Sequence, residues 1–265
     1  MNTTSETFKT ISYKLIRNGS LLIVIFPRAG AKFTSHSELI NELSKFGSVL
    51  FLEGGYYGIS KADHNSEDLS IDKFYLSLHK LINKLGFAKI ALVGESVGAI
   101  HALNYASNYS SELELLILSN PALYKPRFID GLLIVPILNL GIKTSPDRFL
   151  NALGKALKKF PTKGLKNMGN TFMGMTQTIG SLSYLICLTE IAEYKNKYRS
   201  KKIKNILNKT YALIGKNDKV FDLLCDKDYC MKYMHYKEVN SAGHGIINSN
   251  PNAVTEIFRK NLATS

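Results

Sequence analysis

Short apolar runs recur along the chain. The clearest of them, Leu21 to Phe26, is uninterrupted and ends at Pro27, as expected of a strand that is buried on both faces. Similar runs follow at Val49 to Leu52, Ile90 to Val93, Leu115 to Leu118, Tyr211 to Ile214 and Tyr236 to Val239. A more polar segment, Phe8 to Ile16, suits an antiparallel edge strand. The pattern predicts a sheet of short, mostly buried strands.

Segments with apolar residues at helical spacing lie between these runs, at Leu39 to Leu43, Leu69 to Leu85 and Ala253 to Leu262. Strands that alternate with helices predict an α/β fold, with a mostly parallel sheet flanked by helices. The alternation stops between residues 122 and 204, where prolines and glycines interrupt helical patterns. We therefore predict a core of residues 1–121 and 205–265, with an inserted helical cap of residues 122–204.

Composition limits the class of protein. The chain has 265 residues, of which 45% are apolar and 21% charged, as in soluble globular proteins. The polar start, Met1 to Thr10, lacks the pattern of a secretory signal. The longest apolar stretch outside the strands, Gly131 to Ile142, falls short of the roughly 20 residues that span a bilayer. We predict a cytoplasmic protein without a transmembrane segment.

The cysteines are few and scattered, at Cys187, Cys225 and Cys230. An odd set with no accompanying ligand pair at metal spacing predicts neither a disulfide framework nor a zinc site. We expect reduced thiols and no metal.

The net charge of +13 indicates an anionic partner, such as nucleic acid, anionic lipid or an acidic carrier protein. The basic excess lies mainly in the predicted cap, at Lys143, Arg148, Lys155, Lys158, Lys159, Lys163, Lys166, Lys195, Lys197, Arg199, Lys201, Lys202 and Lys204. A lysine-rich solvated face explains this excess equally well. The chain has no nucleic-acid motif, and its aromatic residues are not concentrated beside the lysines, which argues against nucleic-acid binding.

The strongest chemical signal is a serine between two glycines. The run Gly94-Glu95-Ser96-Val97-Gly98 follows the strand Ile90 to Val93 and precedes a good helix start, which is the setting of a nucleophile elbow. A side chain at either flanking glycine would collide with neighbouring backbone. We predict that Ser96 is a nucleophile.

A serine nucleophile needs a histidine to take its proton and a carboxylate to orient that histidine. Asp218 ends a Gly-Lys-Asn-Asp turn after one late strand, and His244 lies in a Ser-Ala-Gly-His-Gly loop after the last strand. Because catalytic groups converge at the carboxyl ends of parallel strands, we predict His244 as general base and Asp218 as its acid.

The other histidines and aspartates are better explained structurally. His101 lies too close along its helix to reach back to Ser96. The remaining histidines are predicted to be surface or packing residues, namely His36, His64, His79 and His235. The competing carboxylates are predicted to be solvated or helix-capping, namely Asp222, Asp226 and Asp228.

The motifs Gly94 to Gly98, Gly215 to Asp218 and Ser241 to Gly245, in this order, resemble the α/β-hydrolase superfamily over essentially the whole chain outside the cap. The resemblance implies hydrolysis without a metal or organic cofactor, on a fold that hosts esterases, thioesterases, lipases and C–C hydrolases. Some members carry the acid after the preceding strand, where this chain has the uncharged Asn120.

The resemblance also implies an oxyanion hole that combines the N–H of Val97 with one from the loop after the third strand. Pro27 has no N–H, so alignment gives Arg28 as the second donor, with Ala29 as the fallback. The Arg28 guanidinium is also a candidate to face an anionic part of the substrate. The loop Glu53 to Ser60 is predicted to frame the pocket.

These expectations together predict a serine esterase or thioesterase that works through an acyl-enzyme. The apolar segments Leu132 to Leu140 and Phe172 to Leu188 of the cap would cover an acyl pocket, and an acidic acyl carrier protein is a candidate partner for the basic cap. Two alternatives remain, an acyltransferase on the same fold and a non-catalytic binding protein.

Overall fold

The computed structural model describes residues 3–8, 11–28, 31–53, 71–123, 140–141, 143–159, 201–218 and 227–262. Most of the predicted cap lies outside the described residues, as do Ala29 and residues 54–60 of the predicted pocket loop. The chain divides into two compact units, one of Met1–Lys125 with Lys197–Ser265 and the other of Pro126–Asn196.

The first unit is built on a mostly parallel sheet. Its strands are β1 (Thr3–Phe8), β2 (Ile11–Ile16), β3 (Leu21–Phe26), β4 (Ser48–Glu53), β5 (Lys89–Glu95), β6 (Leu113–Ser119), β7 (Thr210–Gly215) and β8 (His235–Val239). Their order in the sheet is β1-β2-β4-β3-β5-β6-β7-β8. The strands from β3 to β8 are parallel to one another, and β1 and β2 are antiparallel to their neighbours. The predicted fold class is confirmed.

The prediction of an antiparallel edge strand over Phe8 to Ile16 is confirmed in its direction but wrong in its position. The strand β2 is antiparallel to β1 on one side and to β4 on the other, so β1 lies at this edge of the sheet. The sequence does not predict β1, because the residues of this strand are mostly exposed. They therefore lack the apolar alternation that marks a half-buried strand.

The helices lie between the strands and after the last one. They are α1 (Ser37–Leu43), α2 (Ile71–Leu85), α3 (Val97–Asn108), α4 (Pro146–Lys159), α5 (Lys201–Lys204), α6 (Lys227–Tyr233), α7 (Ile246–Ser249) and α8 (Asn252–Leu262), with 3-10 turns at Phe33–His36, Ser110–Glu112 and Leu207–Lys209. Within the described residues, no helix is long and apolar enough to span a bilayer.

Both faces of the sheet are covered by helices. On one face, Ile25 of β3 belongs to a buried cluster with Leu39 of α1 and Phe258 of α8. Successive strand residues point to opposite faces, and the next residue, Phe26, has its ring 6.2 Å from that of Tyr105 in α3. The two-sided burial explains why β3 is an uninterrupted apolar run.

The strand order places the candidate site. The chain passes from β3 to β4 on one side and then crosses β3 to reach β5 on the other side. In such sheets a crevice opens at the carboxyl ends of the strands where the order reverses. The carboxyl end of β5 lies at this crevice, immediately before Ser96.

Candidate active site

Ser96 occupies a strained turn between β5 and α3. Its backbone has a φ of 57° and a ψ of −118°, a conformation that is costly for a residue with a side chain. The Ser96 N–H donates to Ser119 O at 2.8 Å, and Ser96 O accepts from the Ala122 N–H at 3.2 Å. The end of β6 therefore holds the strained turn in place.

The two glycines of the motif are required by close backbone contacts. A Cβ placed on Gly98 would lie 2.2 Å from Phe26 O and 2.6 Å from Pro27 O. A Cβ on Gly94 would lie 2.5 Å from Ala99 Cα. All three distances are shorter than real Cβ atoms show, so the predicted steric reason for the glycines is confirmed. The chain leaving β3 thus packs directly against the first turn of α3.

The structure brings Ser96, His244 and Asp218 together. The His244 Nε2 atom is 2.8 Å from Ser96 Oγ, and His244 Nδ1 is 2.7 Å from Asp218 Oδ2. An ionised carboxylate only accepts hydrogen bonds, so Nδ1 carries the proton and Nε2 accepts from the serine hydroxyl. The Asp218 side chain is fully buried, whereas 26% of the His244 side chain is exposed. The imidazole can therefore exchange a proton with the hydroxyl while the carboxylate fixes its tautomer.

Asn120 holds the loops that carry the acid and the histidine. Its buried side-chain Oδ1 accepts from the Gly215 N–H at 2.8 Å. Its Nδ2 donates to Gly243 O at 3.0 Å and to His244 O at 2.7 Å. One amide thus joins the end of β7 to the histidine loop. In the sequence Asn120 stood out only as the place where some relatives have an acid.

The other candidate side chains have different partners. His101 Nδ1 is 2.9 Å from the Tyr75 hydroxyl. The rings of His79 and His235 stack on Tyr109 and Tyr211 at 3.9 and 4.6 Å. Asp228 lies in the first turn of α6. The remaining candidates, His64, Asp222 and Asp226, lie outside the described residues.

One predicted oxyanion donor, Val97, lies in the elbow, and the other, Arg28, comes two residues after the end of β3. Val97 is the first residue of α3, so its N–H has no acceptor within that helix. Arg28 follows the end of β3, whose last carbonyl contacts the position of Gly98. The donor roles of Val97 and Arg28 stay predictions, and Ala29, the fallback, lies outside the described residues.

The Arg28 guanidinium has a partner within the protein. Its Nη1 donates to Glu95 Oε1 at 2.8 Å, and His36 Nε2 lies 3.2 Å from Glu95 Oε2. The Glu95 side chain is fully buried. Burial alone would raise the pKa of Glu95, but the hydrogen bond from His36 and the charge of Arg28 outweigh it and hold that pKa below its ordinary value of 4.5.

No sequence pattern predicts this buried cluster of Glu95, Arg28 and His36. The only available signal was an acidic residue directly after a buried strand, where an ionised group requires a cationic partner.

Among the described residues, no three His, Cys, Asp or Glu side chains are grouped to hold a metal ion. Cys230 is buried, and Cys187 and Cys225 lie outside the described residues.

Comparison with known proteins identifies the family of the chain. The alpha/beta hydrolase fold family matches residues 48–247 of the sequence, three quarters of the chain. The chain belongs to the α/β hydrolases. Membership of this family makes it an enzyme of the hydrolase type. A comparison with curated proteins found no match.

Solved structures of other α/β hydrolases are similar over almost the whole chain. One concerns carboxylesterases of Nitrososphaera gargenis, at 18% identity, a TM-score of 0.63, and coverage of 99% of this chain and 98% of that one. A second is an alpha/beta hydrolase enzyme from a Medee basin deep-sea metagenome library, at 17% identity, a TM-score of 0.65, and coverage of 99% and 98%. A third is the thioesterase domain from the curacin biosynthetic pathway, at 18% identity, a TM-score of 0.62, and coverage of 97% and 99%. At these identities the likeness shows the fold and not the substrate.

Proposed function

We propose that this α/β hydrolase is a serine hydrolase that cleaves a carboxylic ester or thioester through an acyl-enzyme. One observation carries the proposal, the continuous hydrogen-bonded line from Ser96 Oγ through His244 to Asp218. A serine hydroxyl is a weak nucleophile at neutral pH, and an adjacent imidazole with a fixed tautomer is what activates it. The carboxylesterase and thioesterase structures of the same fold are consistent with this chemistry.

In the first half-reaction, Ser96 Oγ attacks the carbonyl carbon as its proton moves to His244 Nε2. Asp218 stabilises the imidazolium that forms, and the N–H groups of Val97 and Arg28 bind the oxyanion of the tetrahedral intermediate. His244 then protonates the departing oxygen or sulfur. The C–O or C–S bond breaks, and the acyl group stays on Ser96.

In the second half-reaction, water replaces the alcohol or thiol. His244 takes a proton from this water as it attacks the acyl carbonyl, and the same N–H groups hold the new oxyanion. Collapse of the intermediate returns the proton to Ser96 Oγ and releases the carboxylic acid. The enzyme is restored without a metal ion or organic cofactor in the scheme.

The basic helix α4 supports a finer proposal on how the acyl group arrives. Its residues Arg148, Lys155, Lys158 and Lys159 are exposed, whereas Leu150 is buried. A surface of this charge is complementary to an acidic protein. We therefore propose an acidic acyl carrier protein as the carrier of the substrate.

A fluorophosphonate probe tests the proposed nucleophile. The wild-type chain should be labelled once, and Ser96→Ala should not be labelled, because the probe bonds covalently to an activated serine. Ser107→Ala, a change of the same kind in α3, should be labelled like the wild type. Equal labelling of Ser96→Ala and the wild type would remove Ser96 from this role.

A panel of p-nitrophenyl esters and acyl thioesters of graded chain length identifies the bond that is cleaved. We expect turnover that depends on Ser96 for at least one class. Added alcohol or amine acceptors then separate hydrolysis from acyl transfer, because transfer yields a new ester or amide instead of the free acid. Turnover that persists in Ser96→Ala would contradict the acyl-enzyme.

A further inference from the structure

One carboxylate joins both ends of the connection between β3 and α1 to the nucleophile elbow. Glu95 directly precedes Ser96, and its two oxygens contact two residues of that connection. Oε1 accepts from Arg28, near the beginning, and Oε2 contacts His36, immediately before α1. Both the Glu95 and His36 side chains are fully buried, and 32% of the Arg28 side chain is exposed.

Each oxygen of the Glu95 carboxylate has a partner. Arg28 Nη1 donates to Oε1 at 2.8 Å, and His36 Nε2 is 3.2 Å from Oε2. The other ring nitrogen, His36 Nδ1, is 3.2 Å from Lys32 O and 3.0 Å from Ser35 Oγ, and the Ser35 hydroxyl donates to Lys32 O at 2.6 Å. The buried carboxylate is therefore paired with a cation and hydrogen-bonded, which is the condition under which a buried charge is tolerated.

The same cluster borders the catalytic loops. The carbonyls of Phe26 and Pro27, just before Arg28, fill the space beside Gly98. Arg28 Nη1 lies 3.3 Å from where a Cβ on Gly245 would be, next to His244. In the amide orientation that satisfies both its neighbours, Asn248 accepts from Arg28 Nη1 at 3.2 Å and donates to Ser35 O at 2.9 Å.

We propose that Glu95 is a positioning residue that, through Arg28 and His36, fixes the oxyanion donor loop relative to Ser96. The inference rests on the proposed function, in which the Arg28 N–H is the second oxyanion donor. A donor stabilises the transition state only when it is aimed where the charge develops, and a misplacement of about 1 Å can lower the rate about 10²-fold. The Arg28 guanidinium thus serves to hold its own backbone in place.

The test compares Glu95→Gln with Glu256→Gln. The control removes a similar carboxylate, which pairs with Lys237 at 2.7 Å on the surface. After active sites are counted by complete fluorophosphonate labelling, kcat of Glu95→Gln should fall about 10- to 100-fold with KM changed less than about threefold. Affinity for a trifluoromethyl ketone, whose serine adduct carries an oxyanion, should fall by a similar factor. Glu256→Gln should match the wild type in both.

The outcomes separate this inference from the proposed function. If the wild type hydrolyses esters through Ser96 and Glu95→Gln matches Glu256→Gln in kcat and ketone affinity, the inference is wrong and the proposed function stands. If the wild type is neither labelled nor active, the proposed function is wrong, and the anchoring is then decided by amide hydrogen exchange. Glu95→Gln should speed exchange in residues 31–36 but not in α2, and unchanged exchange would overturn the anchoring.

A second variant covers the case in which Glu95→Gln fails to fold. Arg28→Lys keeps the positive charge beside Glu95 but replaces Nη1, which contacts both Glu95 and Asn248, by an ammonium group on a flexible side chain. We expect a smaller loss of kcat in the same direction, about 3- to 10-fold, with an equal loss of ketone affinity. Wild-type values for both in a folded Arg28→Lys protein would overturn the proposal.

Discussion

Glu95 shows how burial and charge act in opposite directions on a single carboxyl group. Burial opposes its ionisation, whereas the donors on His36 and Arg28 favour it and lower its pKa. A group whose pKa is lower in the folded than in the unfolded state stabilises the fold above its unfolded pKa. That stabilisation is lost as the pH falls through the folded-state value.

The pH dependence of stability should therefore change when Glu95 is replaced. Urea unfolding of wild type and Glu95→Gln should show a large difference in the free energy of unfolding at neutral pH. The difference should shrink as the pH falls below the ordinary value of 4.5, because the wild-type carboxyl becomes neutral like the amide. The other carboxylates are common to both proteins and cancel. A difference independent of pH would show that Glu95 is not ionised in the folded protein.

Single residues differ in how far the sequence reveals them. The proximity of Ser96, Asp218 and His244 could be predicted because each stands in a fixed local setting, an elbow or a loop after a strand. The partners of Glu95 lie 59 and 67 positions away, and those of Asn120 up to 124 positions away. Contacts at such separations leave no local pattern, so the roles of Glu95, His36 and Asn120 required the fold.

At the scale of elements, the ends of the strands carry the chemistry. The buried strands could be predicted to within a few residues, because burial on both faces enforces uninterrupted apolar runs. The edge strand β1 could not, since exposure leaves no periodicity. Asn120, directly after β6, joins the end of β7 to the histidine loop. The position of the histidine loop relative to β7 therefore depends on this one amide.

Replacement of that amide should affect both stability and catalysis. Asn120→Ala leaves the Gly215 N–H and the carbonyls of Gly243 and His244 without their partner, at a cost of about 1–3 kcal/mol for a buried unsatisfied group. We expect kcat to fall about 10-fold or more because His244 is held less firmly. Chemical denaturation and steady-state kinetics measure the two effects.

Asn18→Ala is the matched control for this change. The Asn18 amide also donates to a distant backbone carbonyl, that of Ser44. Both residues precede parallel strands, at the ends opposite to those that carry the candidate site. This variant should lose some stability and keep the wild-type kcat. Equal kcat in Asn120→Ala and Asn18→Ala would show that Asn120 has no part in positioning His244.

At the scale of the whole molecule, alternation of strands and helices was enough to predict an α/β fold. The net charge of +13 is the property that the fold does not explain. Part of it lies on α4, whose exposed lysines have few acidic neighbours along the chain. Charge of one sign on a surface acts mainly on association and is weakened by salt.

Neutralising this helix tests the carrier proposal. The triple change Lys155→Gln, Lys158→Gln and Lys159→Gln should lower kcat/KM for a carrier-bound thioester about 10-fold at low salt. It should leave kcat/KM for a neutral p-nitrophenyl ester unchanged. The same changes at the exposed Lys45, Lys80 and Lys89 serve as the control. If kcat/KM for the carrier-bound substrate and kcat/KM for the neutral ester respond alike to the lysine changes and to salt, the carrier proposal is wrong.

The most direct test of the central claim is mass spectrometry of the chain quenched during turnover of an activated ester. The acyl-enzyme account predicts a burst of one leaving group per active site and a mass increase equal to the acyl group, located on the peptide that contains Ser96. The adduct should be absent from Ser96→Ala. Turnover of the ester by wild type without acylation at Ser96, or acylation at another residue, would contradict it.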